Sequence, residues 1–245
     1  MPEQLWFTAL LNRAIGGPVN SLLQSLPPAF HPAHPQAPIT NAVAMEILVV
    51  LILLVFFVAV RASLSVDKPG GLQHLAEATE EFIADQAHGV MGHGYERYIP
   101  YAVVIGLFIL LGNLLGLVPG FESPTANPTV PLGCAVLTFV YYHFHGLRVQ
   151  RHRYIKQFLG PLWGLAWLMF PIEVVSHFAR ILSLTVRLYA NMFAGDMVTL
   201  AFFSLVPVLV PVAFLGLHLF VSLVQAFIFV MLTLVYLGMA VSEEH

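Results

Sequence analysis

Five runs in this sequence, at about 42–60, 98–118, 130–145, 161–206 and 212–241, are apolar on the scale that a bilayer-crossing helix requires. A spanning helix takes roughly 20 such residues. Five runs carry more apolar surface than one globular core can hide, so lipid is the expected solvent. The composition agrees: 58% of the 245 residues are hydrophobic and 9% are charged, against about a quarter charged in a soluble domain. The expected fold class is an all-α integral membrane protein with about five membrane-embedded helices. Residues 1–40 are read as an external N-terminal segment and linker, and 41–245 as a single membrane domain. Residues 1–17 lack the basic start and smooth apolar run of a cleavable signal and are expected to stay on the mature protein. The proline- and histidine-rich stretch 27–38 reads as extended. A single cysteine, Cys134, excludes an internal disulfide framework and a multi-cysteine zinc site.

Between the first two runs, residues 70–91 repeat Leu72, Leu75, Ala76, Phe82 and Ile83 at helical spacing, opposed by Glu77, Glu80, Glu81 and Asp85. This amphipathic helix is too acidic to span. It either lies along the cytoplasmic membrane surface or packs as a solvated helix on the protein. The basic residues give orientation. Arg61, Lys68 and Arg97 flank the first-to-second connection, and Arg148, Arg151, Arg153 and Lys156 crowd the third-to-fourth. The second-to-third loop has no Lys or Arg, and only Arg13 precedes the first run. All of these agree with an N-terminus outside and a C-terminus in the cytoplasm.

The two remaining basic residues, Arg180 and Arg187, fall inside the fourth apolar region. That region has no proline from Ile172 until Pro207 and would form a helix about 50 Å long, against a hydrocarbon core of about 30 Å. It is expected to be strongly tilted or to lie partly in the membrane plane, and to form a long antiparallel hairpin with the last run over 158–241. Glu173, Arg180 and Arg187 are spaced by seven and share one face, with about 10 Å between successive members. Asn191 lies one turn beyond Arg187, and Asp196 falls on the opposite face. On the last run, His218, Ser222 and Gln225 align at i, i+4 and i+7.

Four charges in one span would cost roughly 10 kcal/mol if each faced lipid, so they must face protein or water. Internal salt bridges that merely hold helices together are the bland alternative for Glu173, Asp196, Arg180 and Arg187, and it is weakest for Arg187. Arg187 lacks a full-time acid of its own chain, because Glu46, near the outer end of the first run, is the only other acid at depth. A guanidinium stays charged at any working pH, so Arg187 is expected to meet an anion that comes and goes. Glu173, Asp196, His218 and Gln225 suit a proton route. Asp196 and His218 could meet across the hairpin, as part of that route or as a plain polar clamp.

Three other readings are weaker. Eleven histidines, among them His143 with His145 and His88 with His93, invite a membrane metalloenzyme. The clustered histidine motifs of a di-iron desaturase are missing, and no metal site is expected. A secondary transporter would show an internal repeat, and none is visible. No phosphate-binding glycine loop or Ser/His/Asp set stands out.

The segment Ser183-Leu-Thr-Val-Arg-Leu-Tyr-Ala-Asn-Met-Phe-Ala-Gly-Asp196 closely resembles the signature of subunit a of the F-type ATP synthases. The stretch from Gln225 to Tyr236, with the ending Ser242-Glu-Glu-His245, is similar to that family's end. Gly112-Asn-Leu-Leu-Gly-Leu-Val-Pro-Gly120, followed by Pro124-Thr-Ala-Asn127, is similar to its bacterial members. The resemblance covers about 41–245. It implies the static half of a rotary proton motor, packed against an oligomeric ring of small hairpin subunits that each carry one carboxylate. The implied partners are that ring, a peripheral-stalk subunit, the rest of the ATP synthase and the lipid bilayer of a bacterial plasma (inner) membrane. No nucleic acid and no cofactor are implied, and ATP chemistry would belong to other subunits. The family's essential arginine matches Arg187. Its half-channel positions match Glu173, Asn191, Asp196, His218 and Gln225, with Arg180 and Ser222 in support. A sodium-coupled form is the nearest alternative, and His218 favours protons. The sequence departs from the family pattern at Asp196, often a glutamate, and at Pro128-Thr129, where a second asparagine usually follows.

Overall fold

A computed structural model describes residues 4–25, 27, 31, 37–118, 120–151, 154, 166–205 and 209–241. Among these, all regular structure is helical: α1 (Trp6–Gln24), α2 (Asn41–Ala62), α3 (Gly71–Met91), α4 (Ile99–Leu115), α5 (Thr129–Gln150), α6 (Ala166–Leu205) and α7 (Leu209–Val241). Short 3₁₀ turns at Tyr95–Arg97 and Pro124–Ala126 precede α4 and α5. Four helices, α2, α5, α6 and α7, are long and apolar enough to cross a membrane, and α4 is a shorter apolar helix. The chain is thus an all-α integral membrane protein. Residues 158–165 of the expected hairpin, Arg153 and Lys156 of the basic connection, most of the 27–38 linker and the ending 242–245 lie outside the described residues.

Local chemistry sets the helix ends. Thr40 caps α2 by accepting the Val43 N–H at 3.4 Å. Pro100 stands in the first turn of α4, where its missing N–H costs nothing. Gly92 ends α3 at φ +70°, a conformation that a side chain resists.

α7 is the hub and packs against α3, α4, α5 and α6. The main core joins Ile105 and Ile109 of α4, Cys134 and Ala135 of α5, Leu184, Leu188 and Met192 of α6, and Ala226 and Phe229 of α7. Cys134 is a free, buried packing residue. A second cluster sets Ile83 and Ala87 of α3 against Ala102, Val230 and Leu234. α3 therefore packs on protein chiefly through Ile83, Ala87 and Met91, while Leu72 and Leu75 of its apolar side stay exposed, as do its acids. Exposed Val50, Leu51, Leu54, Val55 and Val58 give α2 a lipid-compatible outer face.

α1 lies outside the sequence expectation. Gly16, Gly17 and Pro18 in its middle read as chain breakers, yet the helix runs through them. Packing overrides propensity here. Leu5 and Ile39 close over Ala44 and Met45. Asn12 bonds Ile39 twice, donating through Nδ2 to its carbonyl and accepting its N–H, each at 3.0 Å.

Helices approach closely at glycines. A Cβ on Gly146 of α5 would lie 2.6 Å from the Tyr154 ring and 3.0 Å from the Ala240 carbonyl oxygen of α7. Backbone cannot move aside as a side-chain tip can. Gly146→Val is expected to destabilise the protein by about 1–3 kcal/mol through overpacking. Its thermal unfolding midpoint in detergent should fall clearly below that of Gly133→Ala, a position with open space around it.

Candidate functional site: the α6–α7 seam

α6 and α7 run antiparallel. Contacts at 191/225, 192/222 and 196/218 hold a nearly constant sum of residue numbers, which defines the register. α6 turns Leu184, Leu188 and Met192 inward at i, i+4 and i+8. That register leaves Glu173, Arg180 and Arg187 on one flank of the buried stripe and Asp196 on the other.

Three polar groups follow one another along the seam. Near the start of α6, His177 lies between Tyr142 and Glu173. Its Nδ1 is 3.0 Å from the Tyr142 hydroxyl, and its Nε2 is 3.4 Å from Glu173 Oε1. Arg180 places its guanidinium over the Tyr236 ring, 5.1 Å from the centroid. These residues and Tyr154 line a small open cavity. Glu173 therefore meets His177, and no Glu173–Arg180 salt bridge forms among the described residues.

In the middle, Asn191 donates through Nδ2 to Gln225 Oε1 at 2.8 Å, and Ser222 Oγ contacts Met192 Sδ at 3.9 Å. Gln225 is buried, and its Nε2 finds no partner among the described residues. At the far end, Asp196 Oδ1 stands 3.8 Å from His218 Nδ1. The two do meet across the hairpin, at a distance that makes an ion pair when the imidazole is protonated. The ring lies flat on Gly195, where a Cβ would come within 3.1 Å of it. The family-like Ala-Gly-acid run thus gives the imidazole a place to sit as well as a carboxylate to face.

Arg187 belongs to none of these groups. It is half-buried on α6. Among the described residues neither Arg187 nor Arg180 has a carboxylate within ion-pair distance. Asp196 faces His218, and Glu46 lies on α2. No three His, Cys, Asp or Glu side chains converge as metal ligands among the described residues. His143 meets His177 edge-on, and His145 packs edge-on against Tyr98.

Sequence reasoning missed a buried bracket beneath the seam. Thr125 Oγ1 donates to Asn113 Oδ1 at 2.6 Å. Asn113 Nδ2 reaches the Ser222 carbonyl at 3.5 Å, and Ser123 Oγ donates to the Gly112 carbonyl at 3.1 Å. The Gly112–Gly120 and Pro124–Asn127 motifs therefore lock the loop before α5 to the middle of α7. Thr125→Val strands the Asn113 amide oxygen in a buried site and is expected to cost about 1–3 kcal/mol. Thr125→Ser, which keeps the hydroxyl, should hold most of the thermal stability that Thr125→Val loses.

Comparison with known proteins covers most of the chain. The family model described as ATP synthase A chain matches residues 43–238. A protein of Koribacter versatilis named ATP synthase subunit a is 59% identical over 246 residues, covering 100% of each chain. One of the same name from Solibacter usitatus is 49% identical over 85% of this chain and 90% of its own. Another, from Geotalea uraniireducens, is 38% identical over 91% and 97%. The chain belongs to the ATP synthase A chain family.

Proposed function

We propose that this chain is the static membrane subunit of a bacterial proton-driven rotary ATP synthase, and that Arg187 is the fixed charge between two aqueous half-channels. The observation that carries the reading is Arg187 itself: a permanent cation on a membrane helix, half-buried, with no acid of its own chain in reach among the described residues. Its counter-ion is then a carboxylate on each subunit of a rotating oligomeric ring. The surface around it favours that partner. Ala179, Ser183, Ala190 and Ala194 are exposed on the same side of α6, and small side chains let a second helix come close.

The polar groups above and below support two separate routes. Glu173 lies about 21 Å along the helix axis from Arg187 on one side, and Asp196 about 14 Å on the other. Glu173 serves the half-channel facing the cytoplasm. Asp196, His218, Asn191 and Gln225 serve the one facing outward. Arg180 and Ser222 hold their neighbours in place. A proton arriving by one route neutralises a ring carboxylate. Arg187 draws the proton off a returning carboxylate and blocks passage between the routes. The orientation follows the basic connections, with the N-terminus outside and the C-terminus in the cytoplasm of a plasma (inner) membrane. ATP chemistry resides in other subunits of the complex, to which a peripheral stalk ties this one.

Arg187→Ala in the assembled complex is expected to abolish ATP-driven proton pumping in inverted vesicles while the ring still co-purifies. Pumping at the normal rate would reject the assignment. Asp196→Ala and His218→Ala are each expected to slow pumping on the order of 100-fold. His218→Ala should also flatten the rate profile between about pH 5 and 8, where an imidazole titrates. Unchanged rates in both variants would remove the pair from the route.

A further inference from the structure

Tyr142, His177 and Glu173 form a polar chain that leads from the buried interior to the half-exposed carboxylate. We propose that Tyr142 and His177 are positioning residues for proton exchange at Glu173. The phenol fixes the imidazole tautomer, and the imidazole Nε2–H holds the carboxylate at the mouth of the cavity. This deepens the reading of Glu173 as a half-channel residue and rests on it.

The geometry selects one neutral tautomer. Tyr142 Oη and His177 Nδ1 are 3.0 Å apart, and His177 Nε2 and Glu173 Oε1 are 3.4 Å apart. If Nδ1 carried the proton, the bare Nε2 lone pair would face the carboxylate oxygens. With the proton on Nε2, the phenol donates to Nδ1 and Nε2–H donates to the carboxylate, so both contacts are satisfied without a charge on the ring. Burial is graded in the same direction. Tyr142 is 2% exposed, and the His177 and Glu173 side chains are 10% and 35% exposed. The acid stands where the cavity opens, and its holder stands behind it.

Among the described residues, three elements supply further charged and titratable groups that face His177. α5 gives His143, whose ring centroid lies 4.7 Å away. α6 gives Arg180 and α7 gives Tyr236, and Tyr154 follows α5. Arg180 is fixed in place by Tyr236. Its charge adds a reason for a neutral ring between it and Glu173. A hydrogen bond donated to a carboxylate favours its ionised form. His177 therefore holds the Glu173 carboxylate in the orientation in which it exchanges a proton.

The test uses the complete complex reconstituted in vesicles, with ATP-driven proton uptake measured against pH for His177→Leu, His177→Gln and Tyr142→Phe. His177→Leu is expected to slow uptake about tenfold and to move the acid limb of the profile roughly one unit towards higher pH. Tyr142→Phe should move the limb the same way by less. His177→Gln, whose amide N–H can take the place of Nε2–H, should recover most of the rate. A His177→Leu profile superimposable on the parent overturns the proposal. So does an equal loss of rate in all three variants with the acid limb unmoved, the mark of a packing role. If His177→Leu assembles poorly, Tyr142→Phe decides, since it removes a single oxygen, and a parental profile there overturns the proposal. Arg187→Ala in the same preparation separates the two levels. If it pumps, the rotary reading falls. If it does not pump while His177→Leu matches the parent, only the positioning role falls.

Discussion

A guanidinium cannot shed its charge, and hydrocarbon cannot solvate it. That conflict at Arg187 governs the arrangement of the helices around it. The helix that carries it must present protein or water on the charged flank, so α6 is bracketed by α5 and α7 along its buried stripe of Leu184, Leu188 and Met192. α7 in turn is held by the Asn113–Thr125 bracket at Ser222. The apolar core fixes the register of the hairpin, and the register decides which polar side chains can touch.

The register explains a division of labour that residue types alone do not reveal. Asp196 and His218 have each other, as do Asn191 and Gln225, and Glu173 has His177. Arg180 is occupied by an aromatic face. Each of these contacts takes a polar group out of competition for Arg187.

Much of this was legible in the sequence because the membrane restricts the options. Lengths of apolar run translate almost directly into helices, and charges inside them are costly enough to be informative. The i, i+4, i+7 stripe of His218, Ser222 and Gln225 followed from spacing, and the meeting of Asp196 with His218 from the expected hairpin. Other features did not. α1 is punctuated by Gly16, Gly17 and Pro18 and owes its helical state to contacts with α2, which no local signal carries. The Asn113–Thr125 bracket joins residues that read as loop and helix end. Tyr142 and Tyr236 belong to segments whose relative rotation only the packed structure fixes. His177 was the recoverable omission, because it stands four residues after Glu173 on a helix already recognised as such.

α6 runs unbroken from Ala166 to Leu205, 40 residues and about 60 Å. The length has a mechanical meaning. A charge mounted on a loop would follow whatever pulled it, and the point at which a passing partner is met would wander. A charge mounted midway along a continuous rod, packed through Leu184, Leu188 and Met192 against neighbouring helices, shares sideways load with the bundle. Stiffness of the backbone, rather than any single contact, keeps that charge in one position.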